Sequence, residues 1–90
     1  RMRSDQYGAF SNVDLALRDA GVKDGFEQVF SIKSYHVGLM DEAVFASMKR
    51  YMTCWLPSHK PIWTQLGVAA LGLPAMKVEI DVVAIDGLRE

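Results

Sequence analysis

The sequence predicts an α+β fold, a two-layer sandwich with helices on one face of a mixed sheet. Three observations point there. Phe10, Val13, Leu17 and Ala20 fall on one helical stripe, and Val44, Met48, Tyr51 and Trp55 fall on another. The stretch Lys60–Ile85 alternates with period two and carries no strong helix signal. Half of the 90 residues are hydrophobic and 23% are charged, a globular composition of one domain's length.

The first helix is expected over about Asp5–Ala20. Ser4 or Asp5 can cap it, and Arg1–Ser4 ahead of it is polar and frayed. Gly21 follows the last periodic residue and suits the left-handed position past a helix end. Val22–Gly25 reads as a polar connector. Phe26–Val37 then reads as a strand, with Phe30 and Ile32 on one face and Val29, Tyr35 and Val37 on the other. Asp41 is a natural N-cap for a second helix over Asp41–Trp55, with Glu42 favourably placed in its first turn. Phe45 and Met52 widen that helix's stripe, while Lys49 and Arg50 lie near its other side. Pro57 ends it. Ser58, His59 and Lys60 form a loop. Two strands follow, joined as a hairpin by a turn over Leu71–Pro74. Asp86–Glu90, with Gly87 inside it, is a mostly polar tail.

Within the expected hairpin, Ile62, Thr64, Leu66 and Val68 share a face with Met76, Val78, Ile80 and Val82. That face is apolar apart from Thr64 and is expected to meet the helices. Trp63, Gln65 and Gly67 share the other, mixed face with Glu79 and Asp81. That mixed face is where a functional cleft is expected, against a sister subunit.

Bulk charge limits the partners. The net charge is −1 and the isoelectric point about 6.1, so nothing marks a nucleic-acid-binding surface. Cys54 is the single cysteine, which allows no intrachain disulfide and fits a reducing, cytoplasmic setting. Near the apolar stripe it reads as a small buried hydrophobe. His36 has no second ligand at metal-binding spacing, and no phosphate loop occurs, so neither metal nor cofactor is expected.

Several segments together resemble the Rid/YjgF family, also called the endoribonuclease L-PSP-like family. They are Pro61-Ile62-Trp63-Thr64, Gly67-Val68-Ala69-Ala70-Leu71, Leu73-Pro74, Val78-Glu79-Ile80 and Val83-Ala84. Asn12-Val13, Leu17 and Ala20-Gly21 look like that family's first helix. The resemblance runs from about Gln6 to Ala84. It implies a chorismate-mutase-like fold, a homotrimer, and clefts between subunits that bind small carboxylate-bearing molecules. The best-known activity it implies is hydrolysis of enamines and imines to keto acids and ammonia. Some members are described as ribonucleases or translation inhibitors.

Two departures stand out. The family begins with strands ahead of the first helix, and this chain, which starts at Arg1, lacks them, so residues 1–90 read as a single but N-terminally incomplete domain. In deaminating relatives an arginine stands two residues after the proline of the Pro-x-Arg-Thr motif. Here that position is Trp63. An arginine donates two parallel hydrogen bonds to a carboxylate and stays charged, whereas an indole has one N–H and no charge. Trp63 therefore either packs an interface or the core, or contacts a ligand by stacking. Glu79 matches the family's water-positioning carboxylate and is the candidate catalytic residue, with a carboxylate satisfied by a neighbouring subunit as the structural alternative. Trp63, Thr64, Lys60 and His59 are the candidate substrate-binding residues, and His59 and Lys60 could restore the missing positive charge or belong to a solvated loop. The expected function is a Rid-like small-molecule-binding protein with weak or no deaminase activity. The alternatives are an active imine hydrolase using Glu79, and an endoribonuclease or translation inhibitor.

Overall fold

A computed structural model of the chain describes residues 4–38 and 40–85. Of the segment Arg1–Ser4 expected to fray, residues 1–3 lie outside the described residues, as does the tail Asp86–Glu90. Ser4 and Asp5 both have helical backbone, so neither frays nor stands ahead of the helix as its cap. The first helix, α1, spans Ser4–Asp19. It ends as its sequence dictates. Gly21 sits at φ +97°, and the N–H groups of Gly21 and Val22 return to the carbonyls of Arg18 and Leu17 at 3.1 and 2.9 Å. This pair of bonds satisfies carbonyls that the helix end leaves orphaned. A 3-10 turn, Gly25–Gln28, follows. Gly25 is held at φ +56°, and a Cβ there would collide with the Asp14 and Arg18 side chains.

The central strand β1 spans Val29–Val37, three residues shorter than its pattern suggested. Phe26 belongs to the turn and is buried with the core rather than extended in the sheet. A register shift between Val29 and Ser31 marks a bulge. The bulge puts Val29 and Ile32 on the same face three residues apart. That corrects the expected pairing of Ile32 with Phe30, which is 42% exposed. The second helix, α2, spans Glu42–Trp55, and Asp41 caps it by accepting the Val44 N–H at 3.0 Å. β2 spans Ile62–Val68 and β3 spans Val78–Ala84.

The sheet order is β2-β1-β3, with β1 parallel to β2 and antiparallel to β3. The expected hairpin is therefore absent. β2 and β3 are the two edges, and β1 separates them. The nine residues 69–77 pass the C-terminal end of β1, where the Val37 N–H donates to the Lys77 carbonyl at 2.9 Å. Two strand spacings of about 4.8 Å each are easily bridged by a connection of that length. The chain does turn here, with the Met76 N–H donating to the Leu73 carbonyl at 3.0 Å, but the connection carries β3 past β1 instead of back beside β2.

One core fills the space between helices and sheet. Phe10 of α1, Met48 and Tyr51 of α2, and Val29 and Ile32 of β1 are buried, with Phe26 and Leu56 closing the ends. Phe10, Phe26, Tyr51 and Trp55 form a ring cluster with centroid separations between 5.6 and 6.5 Å. Burying a side chain such as Ile32 stabilises the fold by about 1.5–3 kcal/mol. Ser47 donates to Gln6 across the helix pair, so the buried polar groups between α1 and α2 meet each other. α1 lies over the β3 side, and α2 reaches β2 through Phe45.

Candidate functional site

Facing is set by β1. Ile32 points into the core and pairs with Trp63 on one side and Val82 on the other. Partners across a ladder share a face, so Trp63, Gln65 and Gly67 point toward the helices together with Val78, Ile80 and Val82. Trp63, Ile80 and Val82 all pack on the core. The opposite face carries Lys33 and Tyr35 of β1, Ile62, Thr64 and Leu66 of β2, and Glu79, Asp81 and Val83 of β3. No described element covers it, and Ile62 is 70% exposed. The expectation for β3 holds, and that for β2 is reversed. The expected mixed face therefore splits: Trp63 and Glu79 lie on opposite surfaces of the sheet.

On the helix side, the chain forms a cleft between the C-terminal half of α2 and the start of β2. Pro57 ends α2, and Pro61 favours an extended Lys60 leading into the strand. The intervening loop is fastened at two points. Ser58 Oγ donates to Glu27 at 3.2 Å, and His59 Nε2 donates to the Val29 carbonyl at 2.6 Å. The cleft has a volume of about 540 Å³. Lys60, His59, Ser58 and Thr53 supply polar groups, and Trp63, Phe45, Met52 and Leu56 supply apolar ones.

Trp63 is committed twice. Its ring stacks on Phe45 with centroids 5.2 Å apart and planes 8° from parallel. Its indole N–H donates to Ser34 Oγ at 3.0 Å, and Ser34 is fully buried in β1. Two residues on, Gln65 Oε1 is buried without a hydrogen-bond partner among the described residues. Lys49 of α2 sits one turn beyond Phe45, with Nζ 5.3 Å from that ring's centroid.

Of the residues singled out in the sequence, the fold thus gathers His59, Lys60 and Trp63. Thr64 and Glu79 are exposed on the other surface, at opposite edges of it. Phe45 and Lys49, not singled out as site residues in the sequence, also line the cleft, and Ser34 sits buried behind it as the partner of Trp63. The i, i+4 spacing of Phe45 and Lys49 was a visible signal, since it sets a cation beside a ring on one helical face. Ser34 gave none, because its role depends on register. Cys54, expected to be buried, is exposed on α2.

This arrangement can bind. A half-open cleft with an aromatic wall and lysines at its rim suits a small anionic molecule. It does not offer a planar guanidinium, and the only N–H of Trp63 is already used.

The comparisons agree with the fold. A Yersinia pestis protein of the conserved Rid protein family superposes with a TM-score of 0.71 at 26% identity, over 83% of this chain and 55% of that one. Yeast Mmf1 gives 0.70 at 23% identity, over 87% and 58%. A Salmonella typhimurium protein, proposed to be a translation initiation inhibitor, gives 0.60 at 25% identity, over 82% and 60%. The chain thus spans less than two thirds of each of these structures. No curated protein is similar enough to match. The sequence profile of the Endoribonuclease L-PSP family matches residues 2–86, nearly the whole chain, so by sequence and by fold this chain belongs to the endoribonuclease L-PSP (Rid/YjgF) family.

Proposed function

We propose that the chain is a small-molecule-binding member of this family that hydrolyses imines slowly or not at all. The observation that carries the proposal is the double commitment of Trp63 to Phe45 and Ser34. Where a deaminating relative has a charged two-donor group for the substrate carboxylate, this chain has a wall. A carboxylate entering the α2–β2 cleft meets lysine ammonium groups, which hold it as point charges without fixing its plane. Poor orientation at the reacting carbon forfeits much of the rate that positioning supplies. Glu79 sits on the far surface of the same sheet, so within one subunit it cannot serve a ligand lying against Trp63.

A homotrimer is part of the proposal. Ile62, Leu66 and Val83 give the uncovered sheet face a hydrophobic character that a sister subunit would bury. A cytoplasmic setting completes it, in keeping with the free thiol of Cys54.

The test is hydrolysis of 2-iminopropanoate by the natural-length protein. No appreciable acceleration over the uncatalysed reaction is expected, and rapid turnover would overturn the proposal. If turnover is found and Glu79→Ala abolishes it, the active-hydrolase reading replaces this one. RNA cleavage ranks below both, since a net charge of −1 gives little of the phosphate attraction on which RNA affinity depends.

A further inference from the structure

The α2–β2 cleft is larger than a three-carbon acid needs, and its volume of about 540 Å³ falls in the range that encloses drug-sized ligands. Its most ordered feature is aromatic: Phe45 and Trp63 stack face to face in its lining. Its charge is one-sided. Among the described residues no Asp or Glu lines the cleft or the adjoining groove over the outer face of α2, with which it shares Phe45, Lys49 and Thr53 and where Arg50 adds another cation. Glu27 accepts a hydrogen bond from Ser58 of the cleft lining. Neither Lys49 nor Lys60 is ion-paired among the described residues, where the salt bridge present is Arg18–Asp14.

Lys49 is the better placed of the two lysines. It belongs to both the cleft and the groove, and its ammonium already rests against the aromatic wall. A carboxylate approaching along the Phe45–Trp63 surface would therefore meet Lys49 without any rearrangement of the strand.

We propose, on the basis of the binding function above, that the preferred ligand is a carboxylate with a planar aromatic body. Its ring packs edge-on beside the Phe45–Trp63 stack, and Lys49 holds its carboxylate. The anchoring charge then comes from the helix rather than the strand, and the position of the strand arginine belongs to an aromatic pair.

The experiment titrates benzoylformate, its methyl ester and pyruvate into the natural-length protein. Calorimetry gives affinity, and the indole N–H resonance of Trp63, assigned with Trp63→Phe, reports location. Benzoylformate is expected to move that resonance and to bind about tenfold more tightly than pyruvate, a difference of about 1.4 kcal/mol. Esterification and Lys49→Gln are each expected to cost about tenfold in affinity, with Lys60→Gln costing less. Equal binding of pyruvate and benzoylformate, both moving the Trp63 resonance, would overturn the aromatic preference and leave the binding function standing. An unchanged affinity in Lys49→Gln would overturn the anchor. If neither acid moves the resonance, both this inference and the proposed function fall.

Discussion

β2 and β3 flank the same central strand, are seven residues long each, and both alternate. They differ in how much their two parities contrast. In β3, Val78, Ile80 and Val82 oppose Glu79 and Asp81, so burying the apolar set leaves the carboxylates in water. In β2, Ile62, Leu66 and Val68 oppose Trp63, Gln65 and Gly67, and neither set is charged. Desolvating a carboxylate is far more expensive than exposing an isoleucine, so β3 has one acceptable facing. β2 has two, and pairing with β1 selects the one that buries the largest side chain, Trp63, beneath α2. Alternation orients a strand when one parity is charged, and says little when both are apolar or neutral.

Substitutions in these strands can break or sharpen that contrast. Trp63→Ala removes an indole that packs on the core and holds the α2–β2 side together. It should cost about 2–3 kcal/mol in urea unfolding, toward the low end for large aromatic truncations because the residue is only partly buried. Ile80→Ala, on the inward face of β3, should cost about 2 kcal/mol. Ile62→Ala should cost less than about 0.5 kcal/mol within the folded unit. If an oligomer covers the open face, its effect will show instead as a concentration-dependent melting temperature. An Ile62→Ala loss as large as that of Trp63→Ala, at all protein concentrations, would mean that β2 faces the other way.

Ser34→Ala tests the register more finely. It strands the indole N–H of Trp63 under α2 and should cost about 1–2 kcal/mol, the desolvation cost of a buried unpaired donor. In Trp63→Phe the donor is gone, so Ser34→Ala in that background should cost less. Equal costs in the two backgrounds would show that the two residues are not coupled. The smallest effect is expected at Glu79. Glu79→Ala, exposed on the open face, should change stability by less than about 0.5 kcal/mol. It should also leave ligand binding in the cleft unaltered, and a tenfold loss of affinity would place this carboxylate at the same site as Trp63.

Much of the architecture was legible in the residues. The helical stripes, the Asp41 cap, Gly21 past the end of α1 and the Pro57 stop are local signals, each read from neighbours within one or two turns. They located both helices to within one residue. Family membership was legible too, in the ordered segments from Pro61 to Ala84. What could not be read was the pairing of strands. Nothing in Leu71–Pro74 states whether the next strand folds back beside β2 or crosses to the far edge of β1.

The order of residues alone therefore established the two helices, the existence of three strands, the inward face of β3 and the replacement of an arginine by Trp63. The fold in three dimensions supplied the central place of β1, the facing of β2, the separation of Trp63 from Glu79, and the meeting of Phe45, Lys49 and Lys60 around one cleft. The physical reason is range. Helix periodicity and capping act over a few residues and leave a mark in sequence. Strand register is a contact between segments far apart in the chain, as Ile32 with Trp63 and Ile32 with Val82, chosen by whichever pairing buries the most apolar surface while keeping charges in water.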